Sequence, residues 1–72
     1  MHNFEITAMR RFLGLTQEEF GNRLGYSRVM INQVERGKAI IGDGLKANYL
    51  RVFGDVRMSD EFRRFYSMYA RV

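Results

Sequence analysis

Apolar residues recur at spacings of three and four along most of the chain, which is the repeat of one face of an α-helix. Ile6, Met9 and Leu13 follow this spacing near the start of the chain. The pattern predicts an all-α fold with five helices and no strand. The expected helices run over about residues 4–13, 17–24, 28–36, 44–53 and 59–71.

The second and third helices are delimited by capping residues. Thr16 and Glu19 have the spacing of a capping box, in which each side chain accepts a hydrogen bond from the other residue's backbone N–H. Gly25 suits the left-handed position after a helix, and Ser27 is a favoured cap for the next one. Two short helices joined by a tight turn form a helix-turn-helix, which we place at residues 16–37.

The other helix ends are predicted from the same residue types. Asn3 is expected to cap the first helix and Gly14 to end it. Asp43 is expected to cap the fourth helix and Gly54 to close it. Ser59 is expected to cap the fifth helix, whose first turn is acidic.

The third helix has an apolar and a polar face. Ile31 and Val34 fall on the face that turns to the core. The outward positions are Arg28, Val29, Asn32, Gln33 and Arg36. Arginine pairs with guanine through two hydrogen bonds, asparagine and glutamine pair similarly with adenine, and an apolar side chain packs on a thymine methyl. The first four of these residues are therefore expected to read bases, and the alternative for Val29 is burial against a neighbouring helix.

Positive charge is concentrated around the third helix. The chain has a net charge of +4, and residues 27–51 hold five basic against two acidic side chains. Such a surface attracts a polyanion. Phosphate contacts are expected at Gln17, Ser27, Arg36, Lys38 and Lys46. The alternative is that these side chains are simply solvated.

A set of residues between about Met9 and Lys38 carries a family resemblance. Its members are Arg10, LTQEEF at 15–20, LG at 24–25, Ser27, Ile31 and ERGK at 35–38. With these residues the chain resembles the Cro/CI-type (XRE-like) helix-turn-helix proteins, the small phage repressors and their bacterial relatives. The resemblance implies a five-helix lambda-repressor-like DNA-binding domain, with the helix-turn-helix at helices two and three.

The resemblance also implies roles for three residues. Arg10 would pair with Glu35, and Gln17 would bind phosphate. The pair is expected to be either partly buried and structural or a weak surface pair. The family commonly has leucine and alanine where this chain has Phe20 and Gly21.

The chain lacks the residues of most catalytic and metal chemistry. It has no cysteine, and its single histidine, His2, lies at the terminus. No carboxylates have the spacing of metal ligands. We therefore expect no enzyme, no metal and no cofactor. No apolar stretch approaches the length of a membrane span, so we expect no membrane partner and a cytoplasmic location.

The length of 72 residues predicts a single domain, 1–72, which buries too little surface for high stability on its own. A homodimer is therefore expected. The last helix carries four closely spaced aromatic residues that form a candidate dimer interface: Phe62, Phe65, Tyr66 and Tyr69. The alternative is that they belong to the core of one chain.

These features together predict a sequence-specific regulator whose partner is double-stranded DNA. The favoured hypothesis is a homodimeric repressor of phage or mobile-element type, bound to a near-palindromic operator with its reading helices about 34 Å apart. The alternatives are a protein-interaction module and an antitoxin-like accessory regulator, each acting through its last helix on a protein partner.

Overall fold

The computed structural model describes residues 1–70, and within them the fold consists of five helices without a strand. They are α1 (Asn3–Phe12), α2 (Gln17–Leu24), α3 (Arg28–Glu35), α4 (Asp43–Arg57) and α5 (Asp60–Tyr69). The predicted all-α, five-helix fold is confirmed. The predicted last residue of the fifth helix, Arg71, lies outside the described residues. No helix in the described part is long and apolar enough to cross a membrane.

All five helices contribute to one hydrophobic core. Its largest buried side chains include Ile6 and Met9 from α1 and Phe20 from α2. Phe20 stacks on Phe53 of α4 with the ring centroids 5.0 Å apart and the planes almost parallel. A fully buried side chain of this kind stabilises the fold by about 1.5–3 kcal/mol. The core therefore fixes one side of α2 and α3 and leaves the other side at the surface.

The predicted caps of the helix-turn-helix are confirmed. The N–H of Glu19 donates to Thr16 Oγ1 over 3.1 Å, and the N–H of Thr16 donates to Glu19 Oε1 over 2.9 Å. Gly25 ends α2 in the left-handed conformation, with φ at 79°. The hydroxyl oxygens of Ser27 and Ser59 each accept the N–H three residues later, at the starts of α3 and α5.

The position of Gly21 explains why this chain has no alanine there. A Cβ on Gly21 would meet the carbonyl oxygen of Tyr26 and lie 3.2 Å from Cγ1 of Ile31. Backbone atoms yield less readily than the end of a flexible side chain. The turn between α2 and α3 therefore packs closely against α2, at a position where glycine costs about 1 kcal/mol of helix propensity.

Three of the predicted helix ends are wrong. Asn3 does not cap α1, because His2 occupies the cap position without a side-chain hydrogen bond and Asn3 uses its side chain elsewhere. Asp43 is already the first residue of α4, and Gly42 precedes it as cap. Gly54 does not close α4, which continues for another three residues. Gly54 lacks the positive φ that ends the other helices at a glycine, so its backbone remains helical.

A buried polar cluster joins α1 to α4. Glu5 is 5% exposed, and its Oε2 accepts hydrogen bonds from the Tyr49 hydroxyl at 2.6 Å and from Arg57 Nε at 2.7 Å. Burial, together with the bond to Glu5, raises the pKa of Tyr49 well above its usual value. The phenol therefore remains a proton donor to the carboxylate. The hydrophobic pattern does not predict this cluster, since it places only apolar residues inside.

Candidate nucleic-acid interface

The outward face of α3 carries a row of uncovered side chains. Arg28 and Gln33 are exposed, and Val29 is 55% exposed. Ile31 and Val34 are fully buried on the opposite face. Val29 is thus not buried against a neighbouring helix. The helix presents a basic, an apolar and an amide side chain together, and each of these types can recognise a base edge in the major groove.

Asn32 shares the predicted reading face but is partly buried and already hydrogen-bonded. Its Nδ2 donates to Gln17 Oε1 over 3.3 Å. A side-chain amide has two N–H donors and one oxygen acceptor. Asn32 therefore keeps one N–H and its oxygen for a further partner, and the bond to Gln17 restricts its orientation.

Gln17 in turn belongs to a polar network with Arg10, Asn32 and Glu35. Gln17 Nε2 donates to Glu35 Oε1 over 3.1 Å. Arg10 binds the same carboxylate through two bonds, from Nε to Oε2 at 2.7 Å and from Nη2 to Oε1 at 3.0 Å. The network joins α1, α2 and α3. It brings together Gln17, one of the residues predicted to bind phosphate, and Asn32, one of those predicted to read bases.

Arg10 and Glu35 form a partly buried pair and not a surface pair. Their side chains are 15% and 7% exposed. The hydrogen bond to Glu35 raises the pKa of Arg10 above its usual value, although burial acts in the opposite direction. Two-pronged arginine–carboxylate bonds are strong and fix geometry. The pair therefore anchors the C-terminal half of α3 against α1.

Basic side chains surround the outward face of α3. Arg28, Arg36, Lys38 and Lys46 are all exposed, and none of them pairs with a carboxylate within residues 1–70. Their charges are not neutralised by the protein and remain available to a polyanion. Ser27 is also exposed, and although its oxygen caps α3, its O–H proton can still be donated.

The backbone at the end of α3 positions two of these basic residues. Gly37 is left-handed, with φ at 73°, and its N–H donates to the carbonyl of Val34 over 3.1 Å. The N–H of Lys38 donates to the carbonyl of Gln33 over 2.8 Å. This pair of bonds is a Schellman motif. It turns the chain so that Arg36 and Lys38 follow directly after the reading face.

Two asparagines near the interface were not predicted from the sequence. Asn3 Nδ2 donates to the carbonyl oxygens of Val34 and Ala39, each over 2.9 Å. Asn48 Nδ2 donates over 2.9 Å to the carbonyl of Leu24, at the end of α2. An asparagine close to a helix terminus indicates a local cap. Bonds that span more than twenty residues have no corresponding signal in the sequence.

The aromatic residues predicted at a dimer interface are largely used within one chain. Phe62 is only 2% exposed and makes an edge contact with Phe12 at 5.4 Å, so it belongs to the core. Phe65 contacts Phe12 as well, at 5.3 Å. Phe65, Tyr66 and Tyr69 are partly buried and pack against the same core. Only parts of these three rings are available to another molecule.

Comparison with known protein families gives a match over most of the chain. The model of a family described as Helix-turn-helix matches residues 6–58, about three quarters of the chain, including all of α2 and α3. No curated protein and no solved structure gave a match.

Proposed function

The chain belongs to the Cro/CI-type helix-turn-helix family of DNA-binding transcriptional regulators, and we propose that it is a homodimeric repressor that binds a near-palindromic operator with α3 in the major groove. Its five-helix fold is lambda-repressor-like. In this proposal the whole chain, residues 1–72, is a single DNA-binding domain without a catalytic role. Repression would follow from occupation of the operator, which blocks access of the polymerase.

The observation that carries the proposal is the exposed face of α3. An α-helix fits the major groove of B-DNA, which is about 12 Å wide. Arg28 has the donors for O6 and N7 of guanine, and Gln33 has the donor and acceptor for adenine. Val29, which gains nothing from facing water, would bury its surface on a thymine methyl. Each good two-pronged pair discriminates against a wrong base by about 1–3 kcal/mol.

Asn32 is the fourth proposed reading residue, and the polar network limits what it can read. Its bond to Gln17 leaves one N–H and the side-chain oxygen for adenine. Gln17 likewise keeps one N–H for a phosphate oxygen while it holds Glu35. We propose that Gln17 and Asn32 bind phosphate and base as a connected pair, which would fix the distance of α3 from the DNA backbone.

The remaining phosphate contacts are proposed for Ser27, Arg36, Lys38 and Lys46. The last three are cationic and exposed. Each phosphate that a Lys or Arg neutralises releases counterions and contributes about −0.9 to the slope of log affinity against log salt. Three such contacts in each chain of a dimer would give a slope of about −5.

For the dimer we propose a contribution from the end of α5. Tyr66 and Tyr69 remain partly exposed there, Met68 is 70% exposed, and Phe4 of α1 is 40% exposed beside them. Aromatic and methionine side chains are enriched at the centres of protein interfaces. A two-fold dimer would present two copies of α3 about one turn of DNA apart.

The proposal is tested by selecting bound sequences from a pool of random duplexes. The expected winner is near-palindromic, with half-sites about one helical turn apart and an affinity that falls steeply with salt. Weak binding without sequence preference would contradict a sequence-specific repressor.

A second candidate function is a regulator that binds another protein through its last helix, as antitoxin-like accessory regulators do. The observation in its favour is a groove of about 490 Å³ between α1 and α5, lined by Phe4, Arg11, Tyr69 and Ala70. Sedimentation of the purified chain separates the two cases. If the chain is a dimer and Met68→Glu dissociates it, the surface serves self-association. If the chain is a monomer that still selects DNA, the result favours a different protein as the partner of this surface.

A further inference from the structure

Asn3 connects the start of α1 to the end of α3. Its Nδ2 donates to the carbonyl of Val34 inside α3 and to the carbonyl of Ala39 in the following loop, both at 2.9 Å. These two carbonyls lie on either side of Arg36 and Lys38 in the sequence. One side chain therefore holds both ends of the segment that carries two proposed phosphate contacts.

The two bonds use the full donor capacity of the Asn3 amide. The nitrogen of a side-chain amide carries two N–H groups, and both are committed. The side chain makes no cap for its own helix, since His2 occupies that position. The role of Asn3 is therefore in the contact between distant parts of the chain and not in starting α1.

The Ala39 bond restrains a part of the loop that has few other restraints. The N–H groups of Lys38 and Ala39 both donate to the carbonyl of Gln33, at 2.8 and 3.2 Å. Beyond them, no backbone–backbone hydrogen bond within the described chain involves residues 40–41, and Ile40 is 84% exposed. The carbonyl of Ala39 is thus the last hydrogen-bonded backbone group of the loop before the cap of α4, and beyond it only the packing of Ile41 on the core restrains the loop.

We infer that Asn3 is a positioning residue for DNA binding: it sets where Arg36 and Lys38 meet the phosphate backbone, without touching DNA itself. The inference rests on the proposed function, since it assigns these two side chains to phosphates. Without the amide, the two basic residues keep their charge and the backbone bonds to α3, but their segment loses its hydrogen bonds to α1 and can shift relative to it. Phosphate contacts would then be made in only a fraction of the complexes.

The variant Asn3→Leu tests this inference, because leucine is similar in size and has no donor. Each phosphate contact that is lost changes the salt slope by about 0.9 and lowers affinity about eightfold at 0.1 M salt. Partial loss of two contacts predicts, for each bound chain, an affinity about five to ten times lower and a slope shallower by about 1. For a bound dimer the change in slope doubles and the factor in affinity is squared.

Asn48→Leu is the matched control. Asn48 also donates its amide N–H to a backbone carbonyl over 2.9 Å, at Leu24, but this bond does not hold the segment of Arg36 and Lys38. The proposed contacts nearest to it, Ser27 and Lys46, are held by the cap of α3 and by the first turn of α4. Both variants and the unmodified chain are titrated with the duplex selected from the random pool at several salt concentrations, below the unfolding temperature of each. Asn3→Leu is expected to flatten the slope, and Asn48→Leu to leave it unchanged.

Asn3→Asp and a second background separate loss of the two hydrogen bonds from a general loss of stability. Asn3→Asp retains the shape, favours the start of α1 through its negative charge, and removes the donors, so it should flatten the slope even if Asn3→Leu folds poorly. In a chain that carries Arg36→Ala and Lys38→Ala, Asn3→Leu should change the slope no further. A purely structural role would reduce stability in both backgrounds and leave the slope alone.

The outcomes separate this inference from the proposed function. If the unmodified chain does not bind the duplex, both are overturned. If it binds with a steep slope that Asn3→Leu and Asn3→Asp preserve, or that Asn48→Leu flattens equally, the role of Asn3 is overturned while DNA binding stands.

Discussion

Removing the hydroxyl of Tyr49 should destabilise the fold more than removing a hydroxyl that makes no buried hydrogen bond. The ring of Tyr49 is completely buried, and its hydroxyl donates to the carboxylate of Glu5 at 2.6 Å. A hydrogen bond to a charged group contributes about 1.5–3 kcal/mol. Glu5 keeps its bond to Arg57 in the Tyr49→Phe variant, so its buried carboxylate still has a charged hydrogen-bond donor.

The expected loss is therefore in the lower part of that range, about 1.5–2 kcal/mol in the free energy of unfolding. For a domain of this size, 1 kcal/mol lowers the melting temperature by about 4–8 °C, which gives a decrease of roughly 6–16 °C. Thermal unfolding and urea unfolding followed by circular dichroism at neutral pH measure both quantities.

Tyr26→Phe is the control for this prediction. Tyr26 is only partly buried, and its hydroxyl makes no hydrogen bond to another residue of the described chain. Tyr26→Phe keeps the ring that packs against the core and removes only this hydroxyl, so it should change the stability by less than about 0.5 kcal/mol. Equal effects of Tyr49→Phe and Tyr26→Phe would refute the argument that the buried bond to Glu5 holds α1 against α4.

Three more predictions concern the helix-turn-helix. Arg10→Leu should lower the free energy of unfolding by about 3 kcal/mol, because it leaves the mostly buried carboxylate of Glu35 without its cationic partner and with only the Gln17 amide as donor. A loss below about 1 kcal/mol in urea unfolding would indicate a surface pair. Gly21→Ala should destabilise the chain because its Cβ meets the carbonyl of Tyr26, whereas helix propensity alone predicts a gain of about 1 kcal/mol, so increased thermal stability would contradict the close approach. The capping bond lowers the pKa of Glu19, so its stabilising effect is full above about pH 4.3, the usual glutamate value, and is lost as the pH falls through the lowered pKa. The stability difference between the unmodified chain and Glu19→Gln should therefore vanish at a pH below the lowered pKa of Glu19. A difference that persists there would show that the charge of Glu19 is not what stabilises the cap.

The sequence predicts those features of the fold that depend on local chemistry. The capping box at Thr16, the left-handed Gly25 and the cap at Ser27 are signals within a few residues of the helix ends they determine, and all three are confirmed. Gly54 resembles such a stop signal, yet α4 continues through it. Beyond the glycine, Val56 packs against the core and Arg57 binds Glu5, and these contacts favour continued helix more than one glycine disfavours it.

The features that the sequence does not predict depend on contacts between distant parts of the chain. Asn3 has the residue type of a cap but donates to carbonyls more than thirty residues away. The identity of a partner at that distance is set by the packing of α1 on α3. Similarly, the pattern that placed Phe62 on an apolar stripe could not tell whether the stripe faced its own core or a second chain.

Sequence reading by the outward face of α3 is tested by comparing two proteins on two duplexes. The unmodified chain and the variant Arg28→Ala/Gln33→Ala are titrated with the selected duplex and with a duplex of scrambled sequence at the same salt concentration. We expect the variant to stay folded and to keep its binding to the scrambled duplex, apart from the effect of the one charge removed. Its preference for the selected duplex should fall by about 2–6 kcal/mol, since each of two reading contacts contributes about 1–3 kcal/mol. An unchanged preference in the folded variant would contradict the assignment of α3 as the reading helix.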